Sequence, residues 1–405
     1  MKGHQPTNRS GLRRKGVALL SLAAVLTLGL AACSSDKAAD TTTAAANTTA
    51  ATATAAPDTA AVADSAAPDT AAPDTAAADT VAATETTAAA AVANGKATKV
   101  ALMYDVTGRG DKGFADSAAA GLDMAKAKLN IVATESETKN GGNDLPDRMK
   151  LQVDNGNDLI IAVGFSWADE VAKQAANSPS THFALVDASV DAPNVAGLLF
   201  AEDQGSYIVG AAAALKSKSG KLGFIGGVET DLIKKFLAGF SAGAKSINPN
   251  VTIEAKYISQ PPDFSGFNDP QKGKEIAAAM YSGGIDVVYH AAGASGAGLF
   301  QAAKESGKAP GDIWAIGVNV DETVTVPADQ RPYILTSMLK NLDVAVEKVI
   351  EDQAAGKFTG GNKVFNLANN GVGYATTGGH LDDIKGRLEK IKADIISGAI
   401  TVPSA

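Results

Sequence analysis

Three glycines, Gly108, Gly110 and Gly113, form the pattern G-x-G-x-x-G, one of the few arrangements in this sequence that could do chemistry. The pattern follows an apolar run typical of a β-strand and precedes a run typical of a helix. In that setting it can hold the pyrophosphate of a dinucleotide, because backbone N–H groups face the phosphates. Two carboxylates, Asp105 and Asp111, would lie beside those phosphates and repel them. The pattern is therefore a weak indication of a nicotinamide cofactor.

Polar side chains also follow several other apolar runs. Carboxylates and amides around a cleft, with aromatic side chains among them, suit a neutral ligand that carries hydroxyls and a flat ring. The alternative is that each Asp or Asn only caps the helix that follows. The side chains concerned are Asp105, Asp169, Asp187, His290, Asn319 and Asp321.

Arrangements typical of catalysis or metal binding are sparse. Beyond the first 32 residues the sequence has three histidines, His182, His290 and His380. His290 precedes Ser295 closely, but no G-x-S-x-G elbow accompanies the pair. Neither an H-E-x-x-H motif nor a Cys/His cluster occurs. The sequence therefore predicts a protein that is not an enzyme and that uses no metal and no cofactor.

The first 32 residues have the organisation of a signal peptide. Basic residues precede an apolar run, Val17 to Leu30, which leads into Ala31, Ala32 and Cys33. This ending resembles the bacterial lipobox, in which cleavage before the cysteine is followed by acylation of the thiol. Because Cys33 is the only cysteine, no disulfide forms within the chain. We expect an extracytoplasmic protein that is anchored to the cell membrane through lipid on Cys33.

The net charge makes nucleic acid an unsuitable partner. Removal of the five basic residues in the first 32 takes the formal charge from −8 to −13. Such an acidic surface is repelled by phosphate backbones. Residues 33–97 are rich in Ala, Thr, Asp and Pro and bury too little apolar surface to fold, so they are expected to form a disordered linker.

From residue 98 onward, short apolar runs alternate with helical patterns. Apolar strands separated by helices indicate parallel sheets that are covered on both faces. The pattern restarts near Lys221, after a predicted helix over 204–218, so we expect two doubly wound α/β lobes with a ligand at the carboxyl ends of their strands. The apolar runs occupy 99–104, 159–163, 183–186, 221–225, 286–289 and 313–316.

Six separated motifs occur in order along this body. They are Asp-Lys-Gly-Phe at 111–114, Gly-Lys-Leu-Gly-Phe-Ile-Gly-Gly at 220–227 followed by Lys-Phe-Leu-Ala-Gly-Phe at 235–240, Phe-Asn-Asp-Pro-Gln-Lys-Gly at 267–273, His-Ala-Ala-Gly at 290–293, Ile-Gly-Val at 316–318 and Leu-Thr-Ser-Met-Leu-Lys at 335–340. Together, from about Thr98 to the C-terminus, they resemble the basic membrane protein family of bacterial substrate-binding lipoproteins. The purine-nucleoside receptors of that family supply an ABC transporter.

The resemblance implies a type I periplasmic-binding-protein fold, in which two lobes close on a ligand about a hinge. It divides the body into lobe 1, over 98–202 and 322–355, and lobe 2, over 203–321 and 356–405. The chain would then cross between lobes near Glu202, Asp321 and Gly356.

The resemblance also implies a set of ligand-binding residues. Phe114 and Phe267 would hold a nucleobase between their rings, while Asp105 and Asp169 would bind base edges or order the pocket. The full set is Asp105, Asp111, Phe114, Asp169, Phe267, Gly293, Asn319, Asp321 and Lys340.

Further roles follow for the second half of the chain. Gly293 would let the backbone approach the ligand, and Lys340 would reach ribose hydroxyls. Asn319 stands where the family commonly has an aspartate that contacts ribose, with Asp321 close by. Ala115 likewise stands where the family commonly has an asparagine.

The resemblance therefore favours a monomeric receptor that captures a nucleoside, preferably with a purine base, for an ABC transporter permease. Two alternatives remain open. One is a receptor of the same fold for a sugar or a signalling molecule. The other is an exported nicotinamide-dependent oxidoreductase that uses the glycine loop.

Overall fold

The structure is a computed structural model that describes residues 96–138 and 143–404. The predicted signal peptide, the predicted lipidation site Cys33 and nearly all of the predicted linker lie outside the described residues. Within the described ranges, no helix has both the length and the apolar character that a bilayer crossing requires.

The first lobe is built on a parallel sheet with the strand order β11-β5-β4-β3-β1-β2. Strands β1, β3 and β4 are almost entirely buried, because helices cover both faces of the sheet. The strands are β1 (Thr98–Tyr104), β2 (Ile131–Ser136), β3 (Leu159–Val163), β4 (His182–Val186), β5 (Val195–Phe200) and β11 (Gly361–Phe365), and the helices are α1 (Phe114–Lys128), α2 (Leu145–Asp154), α3 (Ala168–Asn177) and α9 (Leu342–Ala354).

The second lobe is built on a sheet with the order β12-β10-β9-β8-β6-β7, parallel except for the edge strand β12. Its strands are β6 (Lys221–Val228), β7 (Thr252–Ser259), β8 (Val287–Ala291), β9 (Trp314–Asn319), β10 (Ile334–Lys340) and β12 (Val372–Tyr374). Its helices are α4 (Glu202–Lys216), α5 (Asp231–Ile247), α6 (Pro270–Ser282), α7 (Ala297–Glu305), α8 (Glu322–Thr325) and α10 (Lys385–Ile396). Short 3₁₀ turns occupy Phe165–Trp167, Ser265–Phe267, Gly293–Gly296 and Arg331–Tyr333.

Helices α4 and α5 pack closely because each helix places a glycine against the backbone of the other. A Cβ atom on Gly210 would lie 2.1 Å from the carbonyl oxygen of Phe240, and one on Gly243 would lie 1.9 Å from that of Tyr207. No side chain fits into such a contact. This packing places α4 in the second lobe from its first turn onward.

The chain passes between the lobes at three places. It leaves the first lobe between β5 and α4, beside the expected crossing at Glu202, returns between β10 and α9, and leaves again between β11 and β12.

The last two crossings lie later in the chain than the expected positions near Asp321 and Gly356. The expected boundaries gave 322–355 to lobe 1, but β10 is a buried strand that pairs with β9 in the second sheet. They gave 356–405 to lobe 2, but β11 pairs with β5 in the first sheet. The reason is physical, because β10 is buried along nearly its whole length and therefore needs a strand on each side and cover on both faces of a sheet.

Candidate functional site

A cavity lies between the carboxyl ends of the strands of the two sheets. The space between its walls, with the open mouth included, is about 640 Å³. The first lobe lines it with Asp105, Val106, Thr107, Asp111, Phe114, Gly164, Phe165 and Asp187, and the second lobe with Leu232, Ile233, Phe236, Phe267, Ala291, Gly293, Ala294, Val318, Asn319 and Lys340.

Most of the residues expected to bind a ligand line this cavity. They are Asp105, Asp111, Phe114, Phe267, Gly293, Asn319 and Lys340. Asp169 does not, because it is exposed in the first turn of α3. Asp321 does not line it either. The Asp321 carboxylate caps α8 and accepts a hydrogen bond from the Thr323 N–H at 3.1 Å, which is the helix-capping role weighed above.

The two phenylalanines expected to stack on a ligand belong to different lobes. Phe114 opens α1, whereas Phe267 ends a 3₁₀ turn beside β6. The hydroxyl of Ser295 anchors that turn by donating to the Gly266 carbonyl at 2.7 Å. Phe165 packs its ring edge-on against Phe267 with a centroid distance of 6.5 Å. Both expected rings therefore face one cavity from fixed local structures.

The glycine loop at 108–113 is filled by carboxylates of the chain itself. Asp111 accepts hydrogen bonds from the N–H groups of Gly113, Ala115 and Asp116 at 2.9, 2.9 and 3.0 Å. Asp116 accepts from the N–H groups of Gly110 and Lys112 at 2.7 and 3.0 Å. The donors that would face a pyrophosphate are thus already bonded. The loop instead fixes the start of α1 and with it Phe114.

Outside the cavity, the same loop is held by an exposed ion cluster, which we call the rim cluster: Arg109, Asp123 and Glu135. Arg109 donates to Glu135 through Nε at 2.7 Å and through Nη2 at 3.0 Å, and its Nη2 lies 2.9 Å from Asp123. Burial raises the pKa of Glu135, but hydrogen bonds from Arg109 and Tyr104 outweigh burial and hold that pKa below its usual value.

Asp105 is held rigidly at the end of β1. One carboxylate oxygen accepts from the Val106 N–H at 2.7 Å and the other from the Ser166 hydroxyl at 2.8 Å. Gly164 gives this carboxylate its space, because a Cβ atom there would lie 1.9 Å from Oδ2 and the residue has φ +115°. Burial raises the pKa of Asp105 to about 6, although both hydrogen bonds oppose the rise.

A second ion cluster lies inside the molecule, and we call it the hinge cluster: Asp187, Glu202 and Lys340. The Lys340 Nζ donates to Asp187 Oδ1 at 2.6 Å and lies 3.0 Å from Glu202 Oε1. The exposed fractions of the three side chains are 2% for Lys340, 4% for Asp187 and 1% for Glu202. Lys340 is the last residue of β10, and its side chain is buried.

Aromatic rings surround the ammonium group of this cluster. The Nζ atom lies 4.9 Å from the ring centroid of Phe200, 5.4 Å from Phe114 and 5.8 Å from Phe236. Burial lowers the pKa of Lys340, but attraction to Asp187 and Glu202 outweighs burial and raises it overall. Lys340 is thus a charged group, already paired, at the wall of the cavity.

Several residues that line the cavity or lie beside it were not among the ligand-binding residues expected from the sequence. Asp187 was noted only as a polar residue after a strand, and Glu202 only as a crossing point. The one sequence feature that these two residues share is their place after a strand: Asp187 directly follows β4, and Glu202 begins α4 just after β5. Phe165 and Phe236 also line the cavity, and nothing in their local sequence distinguishes them from core phenylalanines.

Comparison with known proteins gives consistent results. Residues 97–405 match the family described as Bmp, ABC transporter substrate-binding protein PnrA-like. The ABC transporter nucleoside-binding protein BmpA of Lactococcus lactis is 35% identical over 319 residues, which covers 76% of this chain and 89% of that protein. The CD4+ T-cell-stimulating antigen of Listeria monocytogenes is 35% identical over 323 residues, which covers 75% of this chain and 87% of that protein.

Solved structures agree with this relationship. A solute-binding protein of an ABC transporter system from Aeropyrum pernix superposes with a TM-score of 0.66 at 27% identity, over 76% of this chain and 94% of that one. A solute-binding protein from Conexibacter woesei gives a TM-score of 0.60 at 25% identity, over 76% and 99% of the two chains. The two-lobed fold expected from the sequence is confirmed.

Proposed function

This chain belongs to the Bmp family of PnrA-like ABC transporter substrate-binding proteins, and on that premise we propose that its ligand is a nucleoside. Proteins of this class act outside the cytoplasm, where they bind a small molecule and deliver it to a permease, and they are not enzymes. The naming of the Lactococcus lactis relative as nucleoside-binding supports this choice of ligand.

The observation that carries the proposal is that Phe114 and Phe267, one from each lobe, line the same cavity together with acidic and amide groups. A nucleobase offers flat faces to the two rings. Ribose hydroxyls and base N–H groups donate to oxygens such as those of Asp105 and Asn319. A flat ring joined to a hydroxylated sugar matches both parts of this lining.

The charge of the lining favours a neutral ligand. Asp105, Asp111 and Asp187 face the cavity with Lys340 as the one cation among the described lining residues. The charge of Lys340 is already matched by Asp187 and Glu202. A phosphate group would therefore enter a negative field of low dielectric constant. A nucleoside should bind and the corresponding nucleotide should not.

A thermal-shift screen of nucleosides, free bases, nucleotides and sugars tests the ligand. A nucleoside at one hundred times its dissociation constant should raise the free energy of unfolding by about 2.7 kcal/mol. A shift with a sugar and none with any nucleoside would contradict the proposal.

Two substitutions test the stacking residues. Phe114→Ala and Phe267→Ala should each remove most of the ligand-induced shift, because stacking on the base is lost, while the unliganded protein stays folded. The matched control is Phe264→Ala, since Phe264 belongs to the same loop as Phe267 and contacts Phe165 but does not line the cavity. Retention of the full shift in both cavity variants would exclude stacking.

We propose in addition that the protein is a monomer anchored through lipid on Cys33, a residue outside the described part of the chain. Mass spectrometry of the N-terminal fragment from native membranes should find acylated Cys33. The Cys33→Ser variant should leave the membrane fraction, and its retention there would contradict the anchor. Sedimentation of that soluble variant should show single chains.

A further inference from the structure

The carboxylate of Glu202 is an anomaly. It is 1% exposed and lies 3.0 Å from the Lys340 Nζ, yet within the described residues neither of its oxygens accepts a well-oriented hydrogen bond. The directed hydrogen bond of Lys340 goes to Asp187 instead. Buried carboxylates are nearly always hydrogen-bonded, because an unbonded one has lost its hydration without replacement. The position of Glu202 therefore needs an explanation.

The three residues of the hinge cluster belong to different lobes. Lys340 ends β10 and Glu202 begins α4, and both elements are part of the second lobe. Asp187 follows β4 of the first lobe. The contact of Lys340 with Glu202 is thus made within one lobe, whereas the contact with Asp187 joins the two. Both Lys340 and Glu202 also adjoin segments in which the chain crosses between lobes.

We propose that Glu202 is the alternative partner of Lys340, which takes over the ammonium when the lobes separate, so that the Lys340–Asp187 pair is a latch made on closure and broken on opening. Hinge rotation carries Asp187 away with β4, while Glu202 moves together with Lys340. On opening, Phe114 and Phe200 leave with the first lobe, whereas Phe236 and Glu202 stay beside the ammonium in the second lobe, so Glu202 remains as its anion. In this structure, where Asp187 reaches Lys340, two carboxylates face one ammonium, and Glu202 is the one left poorly oriented.

The proposal predicts opposite effects for the two carboxylates. Glu202→Gln removes the partner that Lys340 has in the open arrangement and also removes the repulsion of Glu202 from Asp187 in the closed one. Both changes favour closure. Asp187→Asn removes the latch itself and favours opening, while Lys340 keeps Glu202 and the fold is retained.

A distance measurement without ligand tests these directions. Because Cys33 is the only cysteine, Cys33→Ser gives a background in which Leu151→Cys and Lys256→Cys can carry spin labels. Both sites are exposed, and they lie beside β2 and on β7, the sheet edges farthest in strand order from the crossings. Relative to the parent, Glu202→Gln should shift the distance distribution toward the shorter, closed population and Asp187→Asn toward the longer one.

The matched control is Asp203→Asn, a neighbouring carboxylate that bonds to the Gln204 N–H and does not contact Lys340. It should leave the distribution unchanged. A Glu202→Gln variant that melts lower but keeps the parent distribution would show a merely structural role and overturn the proposal. If Glu202→Gln does not fold, Asp187→Asn decides alone, and a closed or unfolded Asp187→Asn protein would overturn it.

A kinetic measurement adds a second readout, which rests on the proposed function. Release of the nucleoside that gives the largest thermal shift should be slower in Glu202→Gln by roughly tenfold, near the lower end of typical couplings between sites. Faster release would overturn the latch. If no nucleoside binds, the proposed ligand fails, whereas the distance distributions still test the latch independently.

Discussion

The hinge cluster and the rim cluster each join one cation to two carboxylates, but the first is buried between the lobes and the second faces water. Lys340 and its partners are at most 4% exposed, whereas Arg109 is 39% exposed and Asp123 is 49% exposed. The contact distances hardly differ, at 2.6 and 3.0 Å in the first and 2.7 and 2.9 Å in the second.

The two clusters have the same combination of charges and similar contact distances, so the exposure of their side chains to water is what distinguishes them. Water already solvates the separated ions of the rim cluster, so their pairing adds little. In the hinge cluster the ions have lost that solvation, and each depends on the others to replace it. The rim cluster positions a loop, while the hinge cluster links the state of charge to the arrangement of the lobes.

The strongest test of this comparison is Lys340→Met. It leaves two buried carboxylates without a cation, and we expect the free energy of unfolding at pH 7 to fall by about 3–5 kcal/mol. Denaturant unfolding measures this change. A loss below about 1 kcal/mol would show that the buried ions are not dependent on one another.

Asp105 is a buried carboxylate that can be compared with those of the hinge cluster, because among the described residues it accepts hydrogen bonds but forms no ion pair with a cation. Burial raises its pKa from 3.8 to about 6, so between these values the folded state binds more protons and stability falls as pH rises. Asp105→Asn removes that penalty. We expect the variant to gain about 1–2 kcal/mol over the wild type at pH 7.5 and nothing at pH 3.5.

The measurement is a pair of unfolding curves at the two pH values. Asp169→Asn is the matched control, because Asp169 is exposed and outside the cavity. An equal effect of Asp105→Asn at both pH values would mean that its carboxylate titrates normally.

Arg109→Met should have the smallest effect. The rim cluster is exposed, so its loss should lower the free energy of unfolding by less than about 1 kcal/mol, and 1 M salt should reduce the difference further. Unfolding at low and high salt provides the check. A loss as large as that of Lys340→Met would remove the distinction between the two clusters.

Among the described residues, the six apolar runs named from the sequence correspond to interior strands and to none of the edge strands, and they leave out the interior strands β5 and β10. The runs at 99–104 and 159–163 lie in β1 and β3, and the run at 313–316 overlaps the start of β9, because a strand covered on both faces is mostly apolar. The predicted helix over 204–218 is α4, shifted by two residues. Strands β2 and β7 alternate exposed and partly buried residues, and a solvated edge leaves only a weak pattern.

The candidate site was predictable only in part. Asp105 was expected because it directly follows a strand, whereas Phe114 was expected only because it belongs to a motif of the family that the sequence resembles. The hinge cluster depends on the contact between Lys340 and Asp187, which are 153 positions apart, and no local pattern records such a pairing. The capping role of Asp321 likewise depends on α8, a helix of four residues.

The late return of the chain to the first lobe bears on the order of synthesis. Helix α9 packs against α1, and β11 closes the open edge of β5, yet both follow every parallel strand of the second lobe in sequence. A nascent chain that has emerged only through Phe200 exposes the apolar face of α1 and an unpaired strand edge. The first lobe therefore cannot complete its fold before α9 and β11 have been synthesised. A truncation before Leu342 should leave both lobes prone to aggregation.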